Sequence, residues 1–421
     1  MTTRLSTPEL LEVKEPQQNG TIRAFERLDV VDALRGFSLI GIAIVHFMEQ
    51  YLGAPPPASI GNYTQHLPPD GVLDTIAFIL IRGKFFVLFS FLFGLSFALQ
   101  MERGTARTGS DFRWRFAWRL VILFAIGILH HIIYRGDILT IFAMLGLPLL
   151  LFYKVPDKWV FLVAMVLMLG VPRIVMYAAN VDPFKAYAPD WQSQEDDPEV
   201  LTYWNAAKSG DWTGLASINL SDGFLMKMNF QFGQVGRAYQ TLAWFLLGLL
   251  AGRRRFFENL EDNRPLFRKI FKWSIISFFA TIGIGAAIFI PFGKTMPQSL
   301  QFLIGNTIGD LNGIAMTLFY IAAFMLLFTS EKWQRRLNKL APFGRMALTN
   351  YVTQSIIGTI ILFGFGLLGT IGNTVTLLIA IAVIIIQIWW SREWLKRFNY
   401  GPLEWLWRSL TWMKWQTLKK V

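Results

Sequence analysis

The sequence predicts an all-α fold, a polytopic integral membrane helical bundle of about ten transmembrane helices. Of its 421 residues, 53% are hydrophobic and 16% are charged, and 37 are Phe, which is too apolar for a soluble protein of this length. Several apolar runs are long enough to cross a bilayer, and clusters of Lys and Arg alternate with them. That alternation is typical of a multi-pass membrane protein.

The apolar runs place ten candidate spans. They cover residues 31–51, 84–101, 117–134, 137–153, 159–179, 237–252, 270–291, 308–329, 345–366 and 373–390. The basic clusters lie in residues 102–119, 253–272 and 331–345 and in the tail after 391, whereas the other loops carry almost no Lys or Arg. Because basic loops stay in the cytoplasm, we expect a protein of the bacterial inner (plasma) membrane with both termini cytoplasmic.

Three segments outside the spans complete the predicted organisation. Residues 1–26 form a polar cytoplasmic tail, and residues 27–391 form the transmembrane bundle. Within the bundle, the acidic stretch 180–236 leaves the membrane on the extracytoplasmic side and is either a lid over a site or an interfacial helical hairpin. Residues 392–421 are rich in Trp and basic residues, which predicts an amphipathic helix on the inner membrane face.

Composition also excludes several functions. The formal charge of +12 follows the pattern of cytoplasmic loops, so no nucleic-acid partner is expected. The chain has no Cys and four His, which excludes a Cys nucleophile and thiolate ligands and makes a metal centre improbable. No nucleotide-binding loop is present, and we expect no permanently bound cofactor.

The first predicted helix carries two ionisable side chains that need partners inside the protein. Arg35 and His46 are eleven residues apart, which on a helix corresponds to about 20° around the axis and about 16 Å along it. No ionisable side chain lies between them. Ionisable groups that face lipid are costly, so this shared face predicts a functional site.

The residues of this helix also carry a family resemblance. An Arg, ten residues and a His resemble the signature of the acyltransferase-3 membrane acyltransferases. The stretch VDALRGFSLIGI at 31–42 more closely resembles the YeiB-like bacterial membrane family, domain of unknown function 418, which is related to acyltransferase-3 and heparan-glucosaminide N-acetyltransferase-like proteins. The stretches GRMALTNYVTQS at 344–355 and GPLEWLWRSLTW at 401–412 are similar to the same family. Many YeiB-like relatives carry Asn at the position of His46.

This resemblance implies transfer of an acyl group from cytoplasmic acyl-coenzyme A to an extracytoplasmic or membrane-embedded acceptor. The donor carries phosphates and amides, so Arg35 and Arg345, at predicted inner helix ends, and Asn350, on a polar stripe, are candidate donor-binding residues. His46, nearer the outer side, is the candidate general base because imidazole has a suitable pKa. Expected partners are membrane lipids, acyl-coenzyme A, an acceptor such as an envelope sugar, lipid or small molecule, and a second copy of the chain in a homodimer.

Two acidic residues are further catalytic candidates. Asp137 lies in the turn LHHIIYRGDILT at 129–140, which also contains Arg135. This turn either orients an acceptor or His46 by hydrogen bonds, or is an interfacial cap in which Arg135 and Asp137 pair. Asp310 lies beside a ridge formed by Gly305, Gly309 and Gly313, which predicts a closely packed neighbour.

Two other functions remain open at this point. A proton-coupled transporter or flippase also uses buried His, Asp and Arg, and a non-catalytic membrane scaffold needs no site. Transporters of many folds show interrupted helices in corresponding halves of the chain, and no such pattern is evident in this sequence. The sequence therefore favours the acyltransferase.

Overall fold

The computed structural model describes residues 28–181, 196–233 and 235–420. The predicted tail, residues 1–26, and part of the acidic stretch lie outside the described residues. The first described helices are α1 (Asp29–Met48), α2 (Asp70–Leu80), α3 (Lys84–Thr108), α4 (Arg113–Ile133), α5 (Leu139–Leu151), α6 (Asp157–Met168), α7 (Val171–Ala179), α8 (Pro198–Ser209) and α9 (Trp212–Leu220). They are followed by α10 (Asp222–Phe232), α11 (Arg237–Arg253), α12 (Arg264–Phe292), α13 (Gln298–Phe328), α14 (Glu331–Leu337), α15 (Ala341–Arg345), α16 (Ala347–Thr359), α17 (Asn373–Arg397) and α18 (Pro402–Trp412).

The all-α membrane fold is confirmed, but the number of spans differs from the prediction of ten. Within the described residues, seven helical stretches are long and apolar enough to cross a membrane, or eight if the bent pair α6 and α7 is one span. The predicted spans at 137–153 and 237–252 are helices α5 and α11, which have 13 and 17 residues. Both are shorter than the about 20 residues that a hydrocarbon core of about 30 Å requires.

Helix α1 is the central element of the bundle, because 67% of its most apolar window is buried. It approaches α15 closely through two glycines that face each other. A Cβ atom on Gly344 would collide with the backbone of Asp32, and one on Gly36 would lie 2.5 Å from the carbonyl oxygen of Leu340. Small residues at such a crossing let two backbones pack directly. This contact places Arg345 at the start of α1, on the same side of the bundle as Arg35, and that side is called the basic side below.

Helices α12 and α13 form the outer edge of the bundle. Only 6% of the apolar window of α12 is buried, so most of its surface faces away from the protein. Asn312 on α13 donates a hydrogen bond to Thr281 on α12 at 2.9 Å. A Cβ atom on Gly309 or Gly313 would meet nothing within 4 Å. Gly309 and Gly313 therefore do not make the predicted close contact within the described part of the chain, whereas a Cβ atom on Gly305 would lie 3.7 Å from the ring of Phe289.

The described part of the acidic stretch forms a helical cap on the far side of the bundle, opposite the basic side. Helices α8, α9 and α10 lie there, and Tyr203 and Trp204 of α8 are buried with Tyr51 and Leu52 just beyond the end of α1. Trp191 lies outside the described residues. The cap therefore covers the end of α1 that carries His46.

The Trp-rich C-terminal segment packs against the bundle. Helix α18 contacts α4, where the guanidinium of Arg119 lies 3.5 Å from the ring centroid of Trp407. The indole nitrogen of Trp407 donates a hydrogen bond to the carbonyl oxygen of Arg119 at 2.8 Å. Tryptophan and basic side chains thus bind each other here, and α18 closes the basic side of the bundle.

The predicted orientation in the membrane can be tested with single cysteines, because the natural chain has none. We expect Ser209→Cys in the cap to react with a membrane-impermeant maleimide in intact cells. Asp262→Cys and Arg335→Cys, in basic loops, should react only after the cells are permeabilised. The opposite labelling pattern would invert the assigned orientation.

Candidate functional site

A cavity of about 260 Å³ opens at the basic side of the bundle, between α1, α3, α4 and the helices from α15 to α18. Four arginines line it, together with a single carboxylate, that of Glu404. The four are Arg35, Arg119, Arg345 and Arg408. Guanidinium groups bind phosphate and carboxylate oxygens in a bidentate geometry, so this cavity suits an anionic ligand.

Arg35 is held at the cavity wall by two hydrogen bonds. It donates to Asp32 Oδ1 at 2.6 Å and to Ser96 Oγ at 2.8 Å. Its side chain remains 20% exposed, so it is accessible from the cavity. Arg345 lines the same cavity, so the structure brings together the two arginines that the sequence named as donor-binding candidates.

Glu404 is engaged by the protein. Its carboxylate accepts hydrogen bonds from the backbone N–H groups of Leu348 and Thr349 at 2.7 and 3.2 Å and from the Thr349 hydroxyl at 2.6 Å. These groups are in the first turn of α16, where an anion satisfies otherwise unpaired N–H groups. Burial raises the pKa of Glu404, although these hydrogen bonds oppose the shift. Glu404 therefore caps the first turn of α16, and its carboxylate is engaged by these backbone and hydroxyl donors.

The deep end of the cavity is formed by Tyr351 and by apolar side chains that include Ile138 and Phe142. The Tyr351 hydroxyl accepts a hydrogen bond from the backbone N–H of Ile138 at 3.3 Å. Its ring centroid lies 5.0 Å from that of His130 and 6.1 Å from that of His46. One tyrosine thus separates the arginine-lined cavity from two imidazoles.

His130 and Asp137 form a buried pair just beyond this tyrosine. His130 is the fourth residue from the end of α4, and Asp137 lies in the turn before α5. His130 Nδ1 lies 2.8 Å from Asp137 Oδ1, and both side chains are at most 1% exposed. When Nδ1 donates its proton to the carboxylate, Nε2 carries the free lone pair. That Nε2 atom is buried and has no hydrogen-bond partner in residues 28–181, 196–233 and 235–420.

The carboxylate of Asp137 is fixed by several other donors. It accepts hydrogen bonds from the backbone N–H groups of Leu139 and Thr140, the first two residues of α5, at 3.0 and 2.9 Å. The Thr140 hydroxyl donates at 2.7 Å. Burial would raise the pKa of Asp137, but the hydrogen bond and charge of His130, the charge of Lys227 and the Thr140 hydroxyl outweigh it and lower the pKa to about 2. Asp137 is therefore ionised at neutral pH.

Lys227 on α10 completes this network, although no pattern in the sequence indicated it. Its Nζ donates to Thr140 Oγ1 at 2.8 Å and lies 3.1 Å from His131 Nδ1 and 3.7 Å from Asp137 Oδ2. Burial lowers the pKa of Lys227 to about 8, although Asp137 opposes the shift. Asp137 and Lys227 are 90 residues apart in sequence, so their spacing gave no signal.

His46 faces the same region from α1 and is surrounded by aromatic rings. The centroids of Tyr51, Tyr134 and Tyr351 lie 5.6, 5.2 and 6.1 Å from that of its imidazole. Asp137 accepts its hydrogen bond from His130, so the alternative in which Asp137 orients His46 is wrong. The predicted pair of Asp137 with Arg135 is wrong as well, because Arg135 donates to the carbonyl oxygen of Leu52 at 2.7 Å.

Two other predicted site residues lie elsewhere. Asp310 forms ion pairs with Arg173 and Arg237 at 2.8 and 3.9 Å, in a separate charged group on α7, α11 and α13. Asn350 donates hydrogen bonds to the carbonyl oxygen of Phe343 and to Ser391 Oγ at 3.0 and 2.9 Å. Asn350 on α16 is thus hydrogen-bonded to α15 and α17, and it does not line the cavity. Within the described residues, no group of three or more His, Asp or Glu side chains has the arrangement of a metal site.

The sequence is similar to those of known proteins over nearly its whole length. Residues 251–414 match the family described as protein of unknown function, DUF418. The uncharacterized protein YxaH of Bacillus subtilis is 29% identical over 418 residues, which is 94% of this chain and 96% of YxaH. The uncharacterized protein YeiB of Escherichia coli is 26% identical over 407 residues, covering 92% of this chain and 96% of YeiB. These matches confirm the resemblance to the YeiB-like family.

The Asp137 network makes a quantitative prediction about stability. Asp137→Asn leaves the buried Lys227 ammonium without its counter-ion, and breaking a buried pair in this way costs about 3–5 kcal/mol. We therefore expect a clearly lower unfolding temperature in detergent. The matched control is Asp74→Asn, whose partner Arg82 is 34% exposed, and it should change the temperature little. Equal effects of the two substitutions would contradict the structural role of Asp137.

Proposed function

We propose that this chain, a YeiB-like membrane protein, transfers an acyl group from acyl-coenzyme A on the cytoplasmic side to a hydroxyl or amine that enters from the opposite side. The observation that carries the proposal is that two sites lie on either side of one residue. An arginine-lined cavity on the basic side ends at Tyr351, and the buried His130–Asp137 pair lies directly behind that residue.

The donor is proposed to bind from the basic side. Phosphates of coenzyme A interact with the arginines at the mouth of the cavity, among them Arg35 and Arg345. A cavity of about 260 Å³ is small for a whole cofactor, but it accommodates the amide-bearing arm and leads the thioester to Tyr351. The nucleotide then stays at the mouth, where the cations are.

The geometry favours His130 over His46 as the general base. A base is most effective when a third group fixes its tautomer, and Asp137 does this for His130 at 2.8 Å. His130 Nε2 takes the proton from the acceptor hydroxyl, and the hydroxyl oxygen forms a bond with the thioester carbonyl carbon. The carbon–sulfur bond then breaks, and the leaving thiolate takes the proton from His130 to become the thiol. Asp137 stabilises the imidazolium between these two proton transfers.

One observation favours a carrier as a second candidate function. Helices α6 and α7 meet at an angle of 52°, and the buried Arg173 of α7 pairs with Asp310. Broken helices with buried charges are common at transporter sites. A carrier would move its solute into proteoliposomes without forming an acylated product, whereas the proposed enzyme would release free coenzyme A.

The donor site can be tested by calorimetry with coenzyme A. Arg35→Ala should weaken binding at least tenfold, because a charge-assisted hydrogen bond contributes about 1.5–3 kcal/mol. Arg335→Ala is the matched control, since Arg335 is 80% exposed and pairs with Glu331 outside the cavity. Unchanged affinity in a folded Arg35→Ala protein would remove Arg35 from the donor site.

The base can be identified by replacing each imidazole with Asn, which forms hydrogen bonds but takes up no proton at neutral pH. His130→Asn should lower the rate of thiol release from acetyl-coenzyme A by about 10²–10⁴ and leave coenzyme A binding intact. His46→Asn should retain activity within about tenfold of the natural protein, since an orienting or lining role survives this change. The reverse result would restore His46, the residue favoured by the sequence, as the base.

A further inference from the structure

A second group of buried polar atoms lies beyond the histidines, under the cap. Arg135 is 5% exposed, and its guanidinium packs on the ring of Tyr203, 3.5 Å from the centroid. Arg135 donates a hydrogen bond from Nε to the carbonyl oxygen of Leu52, and its Nη2 has no partner among the described residues. No carboxylate lies within 4 Å of Arg135 in the part of the chain that the structure describes. A buried cation without a counter-ion is costly, and the cost is recovered when an anion binds.

Two tyrosine hydroxyls of the apolar cluster around Arg135 are also unsatisfied within the described residues. Tyr51 and Tyr203 are both fully buried, and neither hydroxyl has a hydrogen-bond partner among the residues that the structure describes. The two residues belong to one apolar cluster, in which the rings of Tyr51 and Tyr134 are 5.1 Å apart. Phe in either position would fill the same space without an unpaired hydroxyl. These hydroxyls are therefore placed to bind something other than the protein.

We propose that Arg135, Tyr51 and Tyr203 bind an oxyanion, the carboxylate or phosphate of the molecule that receives the acyl group. All three side chains can donate hydrogen bonds to oxygen, and the cation supplies the charge that such a group needs. This inference rests on the proposed acyl transfer for the role of the ligand, but the anion site itself does not depend on it.

The site also places the reacting hydroxyl of that molecule. The centroid of Tyr134, next to Arg135 in the chain, lies 6.0 Å from that of His130 and 5.2 Å from that of His46. In this proposal, an acceptor anchored at Arg135 by its anionic group presents a neighbouring hydroxyl to His130 Nε2, the atom without a partner among the described residues. The acceptor class is a hydroxyl compound with an adjacent carboxylate or phosphate, either free in water or in a lipid headgroup.

The test uses matched charged and neutral probes with the purified full-length protein in a neutral maltoside detergent. Calorimetry compares glycerol 3-phosphate with glycerol for a soluble acceptor, and lysophosphatidic acid with monoacylglycerol for a lipid. We expect at least one anionic probe to bind and its neutral partner to bind at least tenfold more weakly. Binding of the soluble or of the lipid probe identifies the source, and equal binding of charged and neutral probes overturns the proposal.

Variants then assign the binding to these residues. Arg135→Gln should weaken anion binding about 10–100-fold, corresponding to one charge-assisted hydrogen bond, whereas Arg82→Gln, at a half-buried arginine that pairs with Glu49, should not. Tyr51→Phe and Tyr203→Phe should also weaken it while leaving the unfolding temperature of the ligand-free protein unchanged or higher. These two variants provide the test if Arg135→Gln does not fold.

The outcomes separate this inference from the proposed function. Anion binding that depends on Arg135 in a protein that does not bind coenzyme A would refute only the acyl transfer. Coenzyme A binding with no anion binding, or with anion binding insensitive to Arg135 and both tyrosines, would refute only the anion site.

Discussion

The buried carboxylate of Asp137 is the interaction on which the far side of the bundle depends. It accepts hydrogen bonds from His130, from the Thr140 side chain and from two backbone N–H groups of α5, and it lies 3.7 Å from the Lys227 ammonium. A charge this deep is stable only when its partners surround it. In satisfying Asp137, the fold joins α4, α5 and the cap helix α10 and fixes the orientation of one imidazole.

The basic side is organised by a different constraint, the direct backbone contact between α1 and α15. Because Gly36 and Gly344 have no side chains, the two helices approach closely enough to bring Arg345 to the cavity that Arg35 lines. The two sides meet at Tyr351. Its hydroxyl accepts a hydrogen bond from the backbone N–H of Ile138, and its ring lies next to those of His130 and His46. A single aromatic side chain therefore lies between the arginine-lined cavity and the His130–Asp137 pair.

The candidate site shows where reasoning from the sequence succeeded and where it failed. Arg35 and His46 were identified because an ionisable residue within an apolar helix is costly wherever it lies. The position of Asp137 in the sequence also indicated a site residue, but it did not indicate that His130 is its partner. Asp310 and Asn350 carried the same kind of signal, yet one pairs with Arg173 and the other bonds to Ser391. The cost of burial indicates that a partner exists and gives no information about which residue it is.

The sequence by itself determined the fold class, the approximate positions of the helices and the stripe that carries Arg35 and His46, since these depend on local hydrophobicity and helical period. Only the tertiary structure decided that His130 pairs with Asp137, that Lys227 joins them from 90 residues away, and that Arg135 is buried with no carboxylate of the described residues beside it. It also decided that α5 ends after 13 residues and α11 after 17, both below the about 20 residues of a typical span. Each of these depends on contacts between distant segments or on where a helix ends, and neither is encoded in local composition.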